Sequence, residues 1–531
     1  MYKIDKKISN LLILLIFILF FSLGLSISND YGMPLDQLEY RQQGFIILNY
    51  LGNIFFPDIT KSFVDGREIV SITKYQESFP FSGVPLHSTL AFIEVLFDIH
   101  NKQEIYYFKY KLLFIFNFIG LVFFYFLLLE RYKDRLISLS GVTILITSPR
   151  FFPEMFYNPN DIPFLTSIII FFYFVRKFFV TSSMSNLFLL SFFSGFLVSM
   201  RFVGIIFPSF FIILYFLFKY YHDKENLFLH LKQITYYFIL TFFFIFLLNP
   251  TLWENSLFNI LNSISNGISY DIEFPQILYL GQFHDIKNFP WHYLPTWISV
   301  STPIVYLILI FSGLFLFIKT IFFKIKNKNI DQNFIDVFFL ISILFCLFVG
   351  MFLSKSLING WRHMYFIYPM LIYFGLFSLK KIKKNIILIS IFIISIIYNC
   401  FWMINNHPYQ MVYFNILAGK NVQDKFELDY WGLSNKDAIE NILDKETDKK
   451  KIIKIMGESR TRLNFSKYLL NIGDYKRIKI TEDLSDADFI ITNYNSKKRK
   501  NNFLEEGYSI YHEISLDNIT INSTFKKPKD F

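Results

Sequence analysis

Apolar residues in this chain arrive in long runs, and charged residues gather in short clusters between them. Several runs reach the roughly 17–25 residues that a helix needs to cross a bilayer. Taken against the charged breaks, they predict about eleven spans, over 9–28, 110–129, 136–149, 162–175, 187–199, 202–218, 231–248, 298–318, 335–353, 365–379 and 386–404. The runs at 136–149, 187–199 and 365–379 are short for a crossing. Backbone polar groups in lipid must be bonded within the segment, so the expected fold class is a polytopic α-helical membrane protein.

A long polar loop to about residue 107 separates the first two spans, and the pattern changes again after 405. There "KKIIKIMGE" reads as a buried strand and "TRLNFSKYLLNIG" as an amphipathic helix ending at Gly473. "YKRIKIT", "ADFIITNY" and "GYSIYHEISL" read as further strands. The expected division is a membrane domain over 1–405 and a small α/β domain over 406–531. The chain shows neither an internal repeat nor a low-complexity linker.

Composition supports the membrane class: 53% of the 531 residues are hydrophobic and Phe alone occurs 70 times, too apolar for one soluble domain of this size. The net charge of +10 would suit a nucleic-acid partner in a soluble protein, but here the basic residues lie between spans and report topology instead. With a cytoplasmic N-terminus, the short inner segments hold nineteen Lys and Arg and the short outer loops five, which fixes the expected orientation. The long first loop, the loops at 148–161, 249–297 and 354–364, and the C-terminal domain are then extracytoplasmic. Lys3, Lys6 and Lys7 precede an apolar run longer than a signal-peptide core of about 7–15 residues, so a retained signal anchor is expected. Cys346 and Cys400 both lie inside apolar runs and show no metal or disulfide spacing.

Candidate chemistry concentrates in those outer loops. "ISNDYGMPLDQLEYRQQG" places Asp30, Asp36 and Glu39 just beyond the first span. Pro34 suits a helix start, after which Asp36 and Glu39 share a face with Tyr40 and Gln43. The plainer reading is acids that complement a helix dipole and stay solvated. "SPRFFPEMFYNPNDIP" carries Arg150, Glu154, Asn158, Asn160 and Asp161, either as a site or as a turn with Asp161 capping the next helix. Arg201, in "SGFLVSMRFVGIIFP", has apolar neighbours on both sides, and a charge at such depth points to function more than to a snorkelling side chain in a tight hairpin. "SKSLINGWRHMYFIYP" supplies Lys355, Trp361, Arg362 and His363, with interfacial anchoring as the alternative. The loop at 249–297 adds Trp253, Trp291, His284 and His292, which read as an aromatic belt without metal-ligand spacing. Carboxylates from early loops and cations from late ones suit a general base toward a hydroxyl and stabilisation of a departing phosphate. A transporter or flippase of a lipid-linked or anionic substrate is the competing class, and it would carry repeated halves.

The acidic first loop, "NPNDIP", "SMRFVG" and "GWRHMYFIYP", in that order, resemble the GT-C superfamily of polyprenyl-phosphate-sugar-dependent glycosyltransferases over about 1–405. Within it they resemble a bacterial subgroup of glycosyltransferase family 39, the dolichyl-phosphate-mannose–protein mannosyltransferase-like group, and are similar to the lipid A aminoarabinose transferases. "HPYQMVYFNILAG" and "FELDYWGLSNKDA" also look like that bacterial subgroup. The resemblance implies a GT-C fold in a bacterial plasma (inner) membrane and an inverting transfer from a polyprenyl-phosphate sugar to a protein, lipid or glycan hydroxyl. It implies Asp36 as catalytic base, with Asp30 a second candidate; the family's Asp-Glu pair is here Asp36-Gln37, and Glu39 substitutes in part. Asp161, with Asn160, is implied to position acceptor or metal, while Arg201, Arg362, His363 and Lys355 lie on the donor-phosphate side. The family admits a divalent cation, and no ligand spacing in the chain demands one.

Overall fold

The computed structural model describes residues 6–57, 82–253, 261, 276–326, 334–353, 357–497 and 499–526. Every predicted apolar run falls on a helix. Among the described residues eight helices are long and apolar enough to cross a membrane: Ile8–Ile27, Lys102–Tyr132, Asp161–Thr181, Phe202–His222, Lys224–Leu248, Ile304–Ile321, Phe334–Phe352 and Ile386–Asn405. The three short runs form the shorter helices Arg135–Ile146, Met184–Met200 and Tyr368–Ile382. The first of these bends by 71° into a seven-residue helix, Phe151–Tyr157, so the pair is a broken span or a re-entrant element. The run expected at 298–318 is two helices, Tyr293–Ser301 and Ile304–Lys326, because Pro303 cannot continue the first.

Small residues let these helices approach closely. A Cβ on Gly313 would overlap the Phe374 carbonyl, which brings Ile304–Lys326 onto Tyr368–Ile382 backbone to backbone. A charge buried between helices is paired: Arg131 forms two hydrogen bonds to Asp336, at 2.7 and 2.6 Å, and the Tyr373 hydroxyl donates to the same carboxylate. The chain is thus an integral membrane protein of the polytopic helical class with a C-terminal sheet domain.

The described residues of the first loop include two helices. Pro34 precedes helix α1 (Gln37–Phe55), which packs on α2 (Val84–Leu96). Beyond the last span, residues from Tyr409 to Leu433 share the core of the helical bundle, and a second core begins at Ala438. That second core packs helix α3 (Ser434–Lys445) on a five-stranded sheet. A hairpin of β1 (Gln276–Tyr279) and β2 (Gln282–Asp285) precedes it in the chain. The sheet runs in the order β4 (Ile478–Ile480), β3 (Ile453–Gly457), β5 (Phe489–Thr492), β7 (Ile519–Lys526), β6 (Ser509–Leu516), parallel around β3 and antiparallel around β7. The expected amphipathic helix ending at Gly473 is instead broken: a short helix over Leu463–Ser466 ends, and Asn471 caps a new one at Ile472–Arg477 by accepting from the Asp474 amide.

Candidate active site

Four side chains far apart in the chain meet at one point. Asp161 opens the helix Asp161–Thr181, and its carboxylate lies between two guanidinium groups: Arg201 Nη2 at 2.5 Å and Arg362 Nη1 at 3.5 Å. Arg362 Nη1 also reaches Asp36 Oδ2 at 3.1 Å. The result is an alternating chain, Arg201–Asp161–Arg362–Asp36, with two positive and two negative groups. The two carboxylates differ in access. The Asp161 side chain is 2% exposed, whereas that of Asp36 is 26% exposed and is the one a substrate can reach.

Local structure sets each position. Asp36 precedes α1, yet its side chain caps nothing and turns to Arg362. Gln37 explains the departure from an acidic pair: it is fully buried and its Nε2 donates to the Tyr157 carbonyl at 2.6 Å, a bond that an ionised Glu could not make. That bond ties the start of α1 to the second loop. In that loop the Asn158 side-chain oxygen accepts from the Asn160 and Asp161 amides at 3.0 and 2.8 Å, and its Nδ2 donates to Asp161 Oδ2 at 3.0 Å. "NPND" is therefore both a turn and a site. The Asn160 amide oxygen accepts from Arg201 Nε at 3.1 Å and Nη2 at 3.2 Å, and from the Tyr40 hydroxyl at 2.7 Å.

Arg201 sits in an extended backbone (φ −153°, ψ 135°) at the end of Met184–Met200, paired with Ser82. It faces protein, as the desolvation cost demands, and does not snorkel. Arg362 follows Gly360, whose φ of +75° turns the chain into the site. Trp361 is buried and donates to Ser301 Oγ at 2.9 Å, so it is a core residue and not an interfacial anchor. Although burial opposes charge on Arg362, the Asp36 and Asp161 carboxylates hold its pKa above the ordinary guanidinium range. Burial raises the Tyr40 hydroxyl to about 12, so it stays protonated and can donate.

The C-terminal segment contributes what the loops alone do not show. The Trp431 ring centroid lies 4.3 Å from Arg362 Cζ, a cation–π contact. Its Nε1 and the Tyr430 hydroxyl donate to buried Glu154 at 3.3 and 2.8 Å, and Glu154 also accepts from Asn158 at 2.6 Å. Asp429 holds the turn that follows, accepting from the Gly432, Leu433 and Ser434 amides. Gly32 lies so close to Leu433 that a Cβ would overlap its carbonyl, which locks the first loop to this segment. "FELDYWGLSNKDA" was the visible signal, but its aromatic pair carried no marker of a role.

Asp30 pairs with His407 Nε2 at 2.8 Å. Glu39 is exposed on the first turn of α1. His363 is half-buried, next to Arg362 in the chain and close enough to Asp161 for its charge to be felt there. Lys355 lies outside the described residues. Arg150 is structural: its Nε donates to the Tyr413 carbonyl at 2.9 Å and its guanidinium packs over Phe414 and Trp297. Among the described residues no group of three or more His, Cys, Asp or Glu side chains is placed to hold a metal ion.

No protein-family model matches the chain, and no curated protein matches it in sequence. Among solved structures it is similar to ArnT from Cupriavidus metallidurans bound to undecaprenyl phosphate, with 11% identity, a TM-score of 0.48, and coverage of 96% of this chain and 97% of that one.

Proposed function

We propose that the protein is a GT-C glycosyltransferase that moves a sugar, with inversion, from a polyprenyl-phosphate donor to an acceptor hydroxyl. The observation that carries the reading is the reachable Asp36 carboxylate held against Arg362, itself clamped with Arg201 by the buried Asp161. The donor phosphate takes the place of Asp36 on Arg362, with Arg201 and His363 adding positive charge, and the freed Asp36 carboxylate turns to the acceptor. The acceptor O–H gives its proton to Asp36 as the oxygen bonds to the anomeric carbon. The bond from that carbon to the phosphate oxygen breaks, its electron pair leaves on polyprenyl phosphate, and the cations stabilise that charge. Asp161 and Asn160 hold the arginines in the required geometry, which places the binding groups before the reaction begins. The charge pattern of the loops supports a cytoplasmic N-terminus and an extracytoplasmic site and C-terminal domain; the family resemblance implies a bacterial plasma membrane.

The test is Asp36→Asn, expected to abolish sugar transfer while expression and membrane insertion stay intact. Asp30→Asn is its companion, expected to keep transfer because the Asp30 carboxylate is engaged by His407. Full transfer by Asp36→Asn sinks the base assignment.

A further inference from the structure

Between the last span and the Tyr430–Trp431 pair the chain makes a short helical turn, Ile416–Ala418, that puts two apolar side chains on the surface. Ile416 is 85% exposed and Leu417 59%, while Asn415 and Ala418 on either side are buried. The turn is firmly held. The Asn415 backbone N–H donates to the Val300 carbonyl at 2.8 Å, and its Nδ2 donates to the Ser299 and Thr302 carbonyls at 2.6 Å each. Its Oδ1 accepts from the Leu417 amide at 2.8 Å. Gly419 then turns the chain at a φ of +71°, and Lys425 Nζ donates back to the Ala418 carbonyl at 3.2 Å.

These bonds fix the depth of the turn. Residues 299–302 close the helix Tyr293–Ser301, and the span Ile304–Ile321 starts two residues later. Just before the turn, the Tyr413 ring packs 4.9 Å from that of Trp402, in the final turn of the span Ile386–Asn405. Ile416 and Leu417 therefore stand at the ends of two spans, where the apolar layer of a bilayer begins. The same two spans expose Ile308, Phe311, Phe401 and Ile404, so the pair continues a lipid-facing apolar band. Water is a poor solvent for two such side chains, and the acyl layer a good one. Beyond them Lys420 is exposed, and Lys425 uses one of its three N–H donors among the described residues; Asp424 is the one acid in the stretch 416–425. We propose that the Ile416–Ala418 turn is a membrane-inserting surface. Ile416 and Leu417 enter the acyl layer of the leaflet on the side of the candidate site, and Lys420 and Lys425 face phospholipid headgroup phosphates. Insertion holds the bilayer surface level with Ser301, which accepts from Trp361, the residue before Arg362.

Depth is measured directly, with no assumption about the reaction. The full chain carrying Cys346→Ala and Cys400→Ala receives one cysteine at a time: Leu417→Cys, Lys420→Cys or Leu484→Cys. Each is labelled with an environment-sensitive fluorophore and placed, one copy per disc, in phosphatidylcholine nanodiscs with a nitroxide quencher in the acyl chain or on the headgroup. Leu484 is the control: it is also exposed, but lies in the turn that enters β5, whose other end meets the bundle where Asn493 donates to the Asp429 carbonyl. The acyl quencher is expected to act several-fold more strongly on the label at 417 than at 484. The label at 420 is expected to respond more to the headgroup quencher than to the acyl one, and the label at 484 to neither. Should Leu417→Cys fail to fold, Ile416→Cys is expected to give the same result. Equal quenching at 417 and 484 leaves the turn in water and overturns the proposal. A water-shielded label at 417 that neither quencher reaches also overturns it, because protein then covers the turn. A label at 420 quenched more by the acyl quencher, or by neither, overturns the headgroup contact.

Discussion

Asp161 and Asp36 share Arg362, but the structure gives them opposite kinds of importance, and isosteric amides separate them. In Asp161→Asn the carboxylate 2.5 Å from Arg201 and 3.5 Å from Arg362 becomes neutral. Breaking a buried ion pair from one side costs about 3–5 kcal/mol, because the remaining charge stays buried without compensation. The lower end applies here, about 3 kcal/mol, since Arg362 keeps Asp36 and the Arg201 side chain is 20% exposed with Asn160 still bonded. In Asp36→Asn a partly solvated carboxylate with a single 3.1 Å contact is lost, and Arg362 keeps Asp161. That loss is close to the surface range, about 1 kcal/mol or less. The difference, about 2 kcal/mol, is roughly a 30-fold difference in the ratio of folded to unfolded protein. Denaturant unfolding of the full chain in detergent, followed by tryptophan fluorescence, measures both variants against wild type. Asp161→Asn is expected to be clearly destabilised and Asp36→Asn nearly wild type. Equal stability of the two, or the reverse order, refutes the assignment of Asp161 as the clamp and Asp36 as the reacting group.

Three other outcomes follow from the same geometry. Trp431→Ala removes the ring from Arg362 and should lower kcat/KM for the donor about 30-fold, consistent with a desolvated cation–π contact of about 2 kcal/mol, while Trp431→Phe recovers most of it in the same steady-state assay. Gln37→Met leaves the buried Tyr157 carbonyl without its donor and should cost about 1–2 kcal/mol in denaturant unfolding. Burial raises the Glu427 carboxyl to about 7 against the opposing pull of Arg460. A carboxyl that binds its proton more tightly folded than unfolded favours the fold below its unfolded pKa, and that contribution is lost as pH rises through about 7. The unfolding midpoint of Glu427→Gln should therefore vary less between about pH 4.5 and 7 than that of wild type.

The helices were legible because a bilayer-length apolar run needs no partner to declare itself; even the short runs at 136–149 and 187–199 fall on helices. Arg201 was legible for a related reason: a charge amid apolar residues has to be compensated somewhere. What compensates it was not. Asp36 and Arg362 stand 326 residues apart, and no local spacing shows that the first loop, the second loop and the last outer turn converge. Trp431 and Tyr430 gave no warning, since an aromatic pair after a span looks the same whether it packs in a core or braces an arginine. The broken helix at 463–477 was misread because its apolar spacing runs past Asn471, where a side-chain cap restarts the chain. Strand β7 went unseen because its buried positions include polar residues where an apolar pattern is expected: the Asn522 amide donates to Ser434 and Asn435, and the Ser523 hydroxyl to Glu513. Gln37, which departs from the acidic pair of the resembling family, became intelligible once the Tyr157 carbonyl was seen facing it.

The central claim is covalent transfer of a sugar from a polyprenyl-phosphate donor, and the most direct measurement follows the label. Membranes containing the full chain are supplied with polyprenyl-phosphate sugars carrying an isotope in the sugar, and the products are separated by mass. Wild type is expected to release polyprenyl phosphate and to place the labelled sugar, with inverted anomeric configuration, on an acceptor that stays unlabelled with Asp36→Asn. Labelled donor that crosses the membrane intact, with no acceptor labelled covalently, contradicts the account and identifies a transporter instead.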